Sequence, residues 1–389
     1  MPKKKIIKDT IKDIKDYISK DFRSKDHVSK DTKDKITKTK IFKVKRTKDL
    51  KSQDQRSKAQ IIKDKKAKEL EAEDLYVSVS PHKSVMIPEV LSYLQPKPGG
   101  VYLDATFGSG GHTRAILEHE PNCRVIALDW DIDSLEKYAP ALKEEFGDRF
   151  IFLWGNFGHM YRLFKRERIT KIDGVLADFG TSQMQITARP GFSVYRDAAL
   201  DMRMSPAHQR VSAAEALRNL SERELTDIFA ILGEERYARK IAQAIVNDRD
   251  ETPFETTFQL ASLIERVVGA QTRGQERDSS RSQASTKSSK RRIHPATRVF
   301  QALRMYVNSE LDNMNLFLKA VMEFLVPGAR CVCISFHSLE DRTVKRFFRE
   351  CEHQNQGKVL TKRIVTPSEE EIKLNTSSRS ACMRVFERS

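Results

Sequence analysis

A chain of 389 residues, 39% hydrophobic and 32% charged, has room for two or three domains and a sizeable core. It contains no apolar run near the ~18–20 residues needed to cross a bilayer, and its lysine-rich start lacks the apolar stretch of a secretory leader. The formal charge of +16 is lopsided: residues 1–70 carry 25 basic against 11 acidic side chains, which leaves a net of only +2 elsewhere. Basicity alone therefore does not make the folded part a nucleic-acid binder.

Residues 1–78 repeat Lys, Asp, Ile and Thr with few aromatics and no glycine. Such a segment buries too little apolar surface to offset its ordering entropy, so a disordered basic tail is expected. From 79 to 194 strand-like runs at 101–106, 124–129, 150–155 and 172–179 alternate with helix-like stretches such as 113–119 and 134–146. That alternation predicts βαβ units and a parallel, doubly wound α/β sheet. Residues 195–270 then show only helical spacing, in 221–232, 234–247 and 257–268, and read as an all-helical insertion. The span 271–293 is nearly free of apolar residues and reads as a flexible basic loop. Residues 294–389 return to the sheet. One long helix is expected after His294-Pro295, then a fifth strand at 329–336 and two more at 360–366 and 383–388.

Five cysteines are scattered without a CxxC pair, and Cys331 and Cys333 share one face of a strand. This suits packed, reduced thiols in a cytoplasmic protein better than a zinc site or disulfides. No metal site is expected.

The strongest local signal is DATFGSGGHT at 104–113, between the first strand and a helix. Glycines there let the chain turn tightly and let a ligand approach the backbone. A dinucleotide fingerprint would require glycine where Thr113 stands, so NAD fits less well than a nucleoside carrying a methionine chain. Asp129 ends the second strand, where a carboxylate can accept both hydroxyls of a ribose. Phe157 follows the third strand, and Asp178 ends the fourth in DFGTSQMQ at 178–185. Strand carboxyl ends form the ligand crevice of open α/β sheets. The DFG triplet has no kinase partner motifs before it.

Residues 82–389 resemble the bacterial MraW/RsmH family, the cytidine-N4 methyltransferases of small-subunit ribosomal RNA. The resemblance rests on HKSVM (82–86), the glycine block, ALDWD (127–131), GNF (155–157), DFGTSQMQ and RPGFS (189–193). It continues through LDMRM (200–204), GEERYARKIAQAIV (233–246), HPATRVFQALRMYVNSEL (294–311), ISFHSLEDRTVKRFFRE (334–350) and TPSEEE (366–371). It implies a Rossmann-like class I methyltransferase sheet, S-adenosyl-L-methionine as donor, and ribosomal RNA or the small subunit as partner, with no membrane. A homodimer is left open. Carried over by position, it places the methionine part of the donor against Gly110, Gly111 and His112, the ribose at Asp129 and the adenine at Phe157. Asp178 and Gln185 take the remaining contacts, and no catalytic base is assigned. The usual family run after the fourth-strand aspartate, Leu-Gly-Val-Ser-Ser-Pro-Gln, is replaced here by Phe-Gly-Thr-Ser-Gln-Met-Gln. Two alternatives stay open: a methyltransferase of this fold acting on another acceptor, and a non-catalytic RNA-binding relative. The [DNS]PP[YFW] run of DNA amino-methyltransferases is absent. For RNA, the helical insertion and Arg291 and Arg292 in the basic loop are the expected contacts.

Overall fold

The computed structural model describes residues 84–180, 189–278 and 294–389. The expected tail (1–78), Gln185, Arg291 and Arg292 lie outside the described residues. One seven-stranded sheet organises the rest: β1 (Val101–Asp104), β2 (Arg124–Asp129), β3 (Phe150–Trp154), β4 (Ile172–Asp178), β5 (Leu325–Ser335), β6 (Gly357–Val359) and β7 (Cys382–Arg388). Their order is β3-β2-β1-β4-β5-β7-β6. The first five strands are parallel, while β7 runs antiparallel between β5 and β6. β1, β2 and β4 are almost continuously buried aliphatic runs, as a parallel sheet covered on both faces requires.

Helices α1 (Ile87–Leu94), α2 (Gly111–His119), α3 (Ile132–Phe146) and α4 (Met160–Arg166) cover the first half. The Asp131 side chain opens α3 by accepting the Asp133 backbone N–H. The expected strands of the core are found within a few residues, with one exception. The run 360–366 forms a single bridge, Val365 to Met383, and the true edge strand is β6. The reason is local: the Val385 N–H donates to the Thr361 hydroxyl instead of a backbone carbonyl, which breaks the ladder beyond Leu360. Pro327-Gly328, just before the expected fifth strand, sits in an irregular stretch of β5, between the pairs Ile172–Leu325 and Gly174–Arg330.

The helical segment comprises α5 (Ala213–Asn219), α6 (Glu222–Ile231), α7 (Ala238–Asp248) and α8 (Thr257–Asp278). Capping boxes Ser212/Glu215 and Ser221/Glu224 start α5 and α6, each satisfying two backbone donors at the helix start. α8 continues to Asp278, eight residues into the span read as a loop, because that polar stretch holds helix formers and no proline.

The single long helix expected after His294 is two helices, α9 (Thr297–Val307) and α10 (Glu310–Phe324). Between them Ser309 adopts a left-handed conformation, φ 50°. Buried Asn308 accounts for the break: its amide donates to the Met202 and Arg304 carbonyls and accepts the Met204 N–H at 2.8 Å. α9 packs its Val299, Phe300 and Leu303 into the same apolar cluster as Leu225, Phe229 and Ile241 of the helical segment. The two remaining helices are α11 (Ser338–His353) and α12 (Glu369–Leu374). Among the described residues, no helix is long and apolar enough to cross a membrane.

Candidate active site

The chain reverses direction across the sheet between β1 and β4, and the carboxyl ends of these neighbours open a crevice. After β1 the backbone turns through Gly108 and Gly110, at φ 54° and 82°. Gly110 caps α2 in the left-handed region, where a Cβ would lie 2.9 Å from the Phe107 ring and 3.2 Å from Leu142. Gly110→Ala is therefore expected to destabilise the protein by ~1–2 kcal/mol from backbone strain alone, plus the clash, read as a lower melting temperature. At Gly108 the nearest atom to such a Cβ is 3.9 Å away, so that position faces open space that a ligand can enter.

Asp129 crosses from β2 to this turn. Its Oδ2 accepts the Gly108 N–H at 2.8 Å and its Oδ1 the Asp131 N–H at 2.9 Å. Each oxygen keeps a second lone pair. The side chain is only 8% exposed, and burial pushes its carboxyl up to about 7, with backbone hydrogen bonds opposing and Asp131 and Asp104 adding to the rise. Asp104 sits deeper, fully buried, accepting the Thr113 hydroxyl at 2.7 Å and the Thr106 N–H at 3.2 Å. Burial raises its carboxyl too. It fastens β1 to α2 beneath the turn, a role its place in the glycine block did not reveal.

The Asp178 backbone N–H donates to the Thr106 hydroxyl at 2.7 Å, which couples β4 to the β1 turn. Burial pushes its carboxyl up to about 6, with His112 nearby pulling the other way. The His112 ring lies in the same crevice, with Nε2 2.8 Å from the Val85 carbonyl, so one ring nitrogen holds the chain entering α1. Phe157 packs edge-on against Phe179, the residue after Asp178, and against Phe317 of α10. Gly110, Gly111, His112, Asp129, Phe157 and Asp178 thus converge at the carboxyl edge. Sequence reasoning missed Arg189, whose guanidinium bonds to the Asp131 carboxylate and lies 3.3 Å from Asp133. It pins the segment after the fourth strand to the start of α3; the arginine of RPGFS was the available signal.

The five cysteines are free, four of them buried, with Cys331 and Cys333 sulfurs 3.8 Å apart. Burial pushes the thiols of Cys123 and Cys351 up to about 11 and Cys382 to about 12, so none of these three is poised as a nucleophile.

Chemically, the crevice offers one buried and one half-buried carboxylate with unspent acceptors, an aromatic edge and an open glycine turn. That set fits S-adenosylmethionine, which brings a ribose diol, an adenine and a cationic chain. The MraW methylase family matches residues 79–389. A relative from Carboxydothermus hydrogenoformans, named ribosomal RNA small subunit methyltransferase H, is 42% identical over 79% of this chain and 97% of its own length. One from a Cyanothece species with the same name is 44% identical over 79% and 94%. Among solved structures, TrmN from Thermus thermophilus aligns over 78% of this chain and 48% of its own, at 13% identity and a TM-score of 0.35. With the crevice's residues all inside the matched segment, the chain belongs to the MraW methylase family, methyltransferases that take their methyl group from S-adenosylmethionine.

Proposed function

We propose that this protein methylates the exocyclic N4 amine of a cytidine in small-subunit ribosomal RNA, in the cytoplasm. The observation that carries the donor half is the pair Asp129, buried, and Asp178, half-buried, carboxylates flanking one glycine turn with acceptors to spare. The RNA half is supported by relatives named for small-subunit ribosomal RNA at about 42% identity across nearly their whole length.

When bound, S-adenosylmethionine supplies a methyl carbon activated by the adjoining sulfonium. Asp129 would accept hydrogen bonds from the ribose hydroxyls, and Phe157 would border the adenine. Gly110, Gly111 and His112 border the methionine part, with Asp178 and Gln185 completing the set. With the donor bound, the amine nitrogen would attack its methyl carbon in line: an N–C bond would form as the S–C bond breaks, the sulfur keeping that electron pair as a neutral thioether and the amine's proton passing to water. Holding the two partners in line contributes up to ~7–11 kcal/mol of the rate enhancement. The target base must leave its stack to enter the crevice. Residues 195–270 serve as the RNA-recognition part in this reading.

Nucleoside mass spectrometry of small-subunit RNA from cells with and without the gene tests the proposal. N4-methylcytidine should vanish in the deletion and return when purified protein and donor are added to that RNA. An unchanged cytidine profile, or transfer to a different base, would overturn it.

A further inference from the structure

The far edge of the sheet carries a feature unrelated to the donor crevice. α11 and the segment following β6 enclose a groove of about 240 Å³ between them. Lys345 and Arg349 line it from the helix, Lys362 from the segment, and Arg384 of β7 forms part of its wall. The side chains of Lys345, Arg349 and Lys362 make no hydrogen bond or ion pair among the described residues. Some arginines elsewhere in the fold find carboxylates, such as Arg114 with Glu145, Arg203 with Asp201 and Arg330 with Glu387.

Arg384 sharpens the point. It is 7% exposed and binds Asp341 through Nε at 2.6 Å and Nη2 at 3.0 Å. Two of five donors are used; Nη1 has no acceptor among the described residues, and the guanidinium borders the groove. The one acidic residue lining the groove, Glu352, accepts the Val359 backbone N–H at 2.9 Å. A near-neutral fold that gathers three unpaired cations and a nearly buried arginine around one concavity incurs self-repulsion unless an anion enters.

We propose that this groove is a seat for backbone phosphates of the RNA substrate, separate from the donor crevice. Lys345 lies eight residues along α11 from His337 at the carboxyl end of β5, about 12 Å at 1.5 Å per residue. That is roughly three to four phosphates of one stacked strand at ~3.4 Å each. A strand whose target base occupies the crevice therefore reaches the groove with its flanking nucleotides. Contacts of this kind fix register and carry no sequence information. The inference rests on the RNA reading proposed above.

The test uses the full chain and a labelled transcript of small-subunit ribosomal RNA, with binding followed across a salt titration. Lys345→Gln/Arg349→Gln/Lys362→Gln should weaken binding at least tenfold near 0.1 M salt. It should also lower the log–log salt slope by about 2–3, at ~0.7–0.9 per lost phosphate contact. A control triple, Lys171→Gln/Lys319→Gln/Lys373→Gln, removes equal charge from exposed positions elsewhere and should leave the slope within one unit of wild type. Donor affinity by calorimetry should be unchanged in both. If the groove triple lost donor binding through misfolding, the single variant Lys362→Gln would serve, with a slope change near one. Equal losses in the groove and control variants, or an unchanged slope in a folded groove variant, would overturn the seat. Groove-dependent RNA binding with no methyl transfer to cytidine would instead defeat the proposed function and leave the groove standing.

Discussion

Asp129→Ala should lower S-adenosylmethionine affinity about 10- to 100-fold, while Asp129→Asn falls between it and wild type. The alanine removes acceptors for two ribose hydroxyls, at ~1–3 kcal/mol for a buried polar group left unpaired. It also frees the Gly108 and Asp131 N–H groups that the carboxylate holds at 2.8 and 2.9 Å. Asparagine keeps one acceptor and the shape of the side chain, so it separates loss of turn geometry from loss of the ligand contact. A pH series adds a second signature. The wild-type carboxyl is pushed up to about 7, and the hydroxyls need its ionised form. Donor affinity should therefore fall as pH drops below 7, and the asparagine variant should lose most of that slope. What remains below pH 6 belongs to Asp178. Stability without donor runs the opposite way. Between about pH 4 and 7 the folded chain binds protons at these two carboxyls that the unfolded chain has released, so stability declines as pH rises. Saturating donor should flatten that decline. Calorimetry giving equal affinity for wild type and a folded Asp129→Ala, independent of pH from 5.5 to 8, would remove Asp129 from the donor site.

Much of this site was legible because its signals are local. A glycine run between a strand and a helix, and aspartates at two strand ends, name their own positions once the strands are recognised. The core strands were recognisable because a covered parallel sheet needs uninterrupted aliphatic runs. What escaped was set by tertiary partners. The split after Val307 depends on the Asn308 side chain reaching Met202 and Met204, more than 100 residues away, and helical spacing runs through it unmarked. The edge strand was misplaced because one hydroxyl, on Thr361, substitutes for a backbone carbonyl. Arg189 and Arg384 gain meaning only from the carboxylates and concavities they meet. Periodicity reports which face is buried, not which side chain interrupts a ladder.

The largest stability effect is expected at Arg304, where α9 of the helical cluster meets α10 and α11. Its guanidinium binds Glu310 through two bonds, 2.8 Å from Nε and 3.0 Å from Nη2, with both side chains largely buried. Glu340, 2% exposed, lies close by, accepting the Phe336 N–H at 2.8 Å with its other oxygen 3.0 Å from the His337 ring. Side-chain donor atoms of Glu310, His337 and Glu340 fall within 4.8 Å of one another, an arrangement able to hold a cation. The arginine already supplies that positive charge. Arg304→Met leaves two buried carboxylates facing each other and should cost ~3–5 kcal/mol. In a protein of this size that lowers the melting temperature by roughly 10 °C. Arg304→Met/Glu310→Gln should recover most of the stability, since removing both members of a buried pair avoids the unpaired charge. Equal melting temperatures for wild type and Arg304→Met would show that the guanidinium is not what neutralises the cluster. The single variant should also weaken RNA methylation more than donor binding, because α9 joins the helical cluster while the proposed donor contacts among the described residues lie at the sheet's strand ends, their loops and the start of α2.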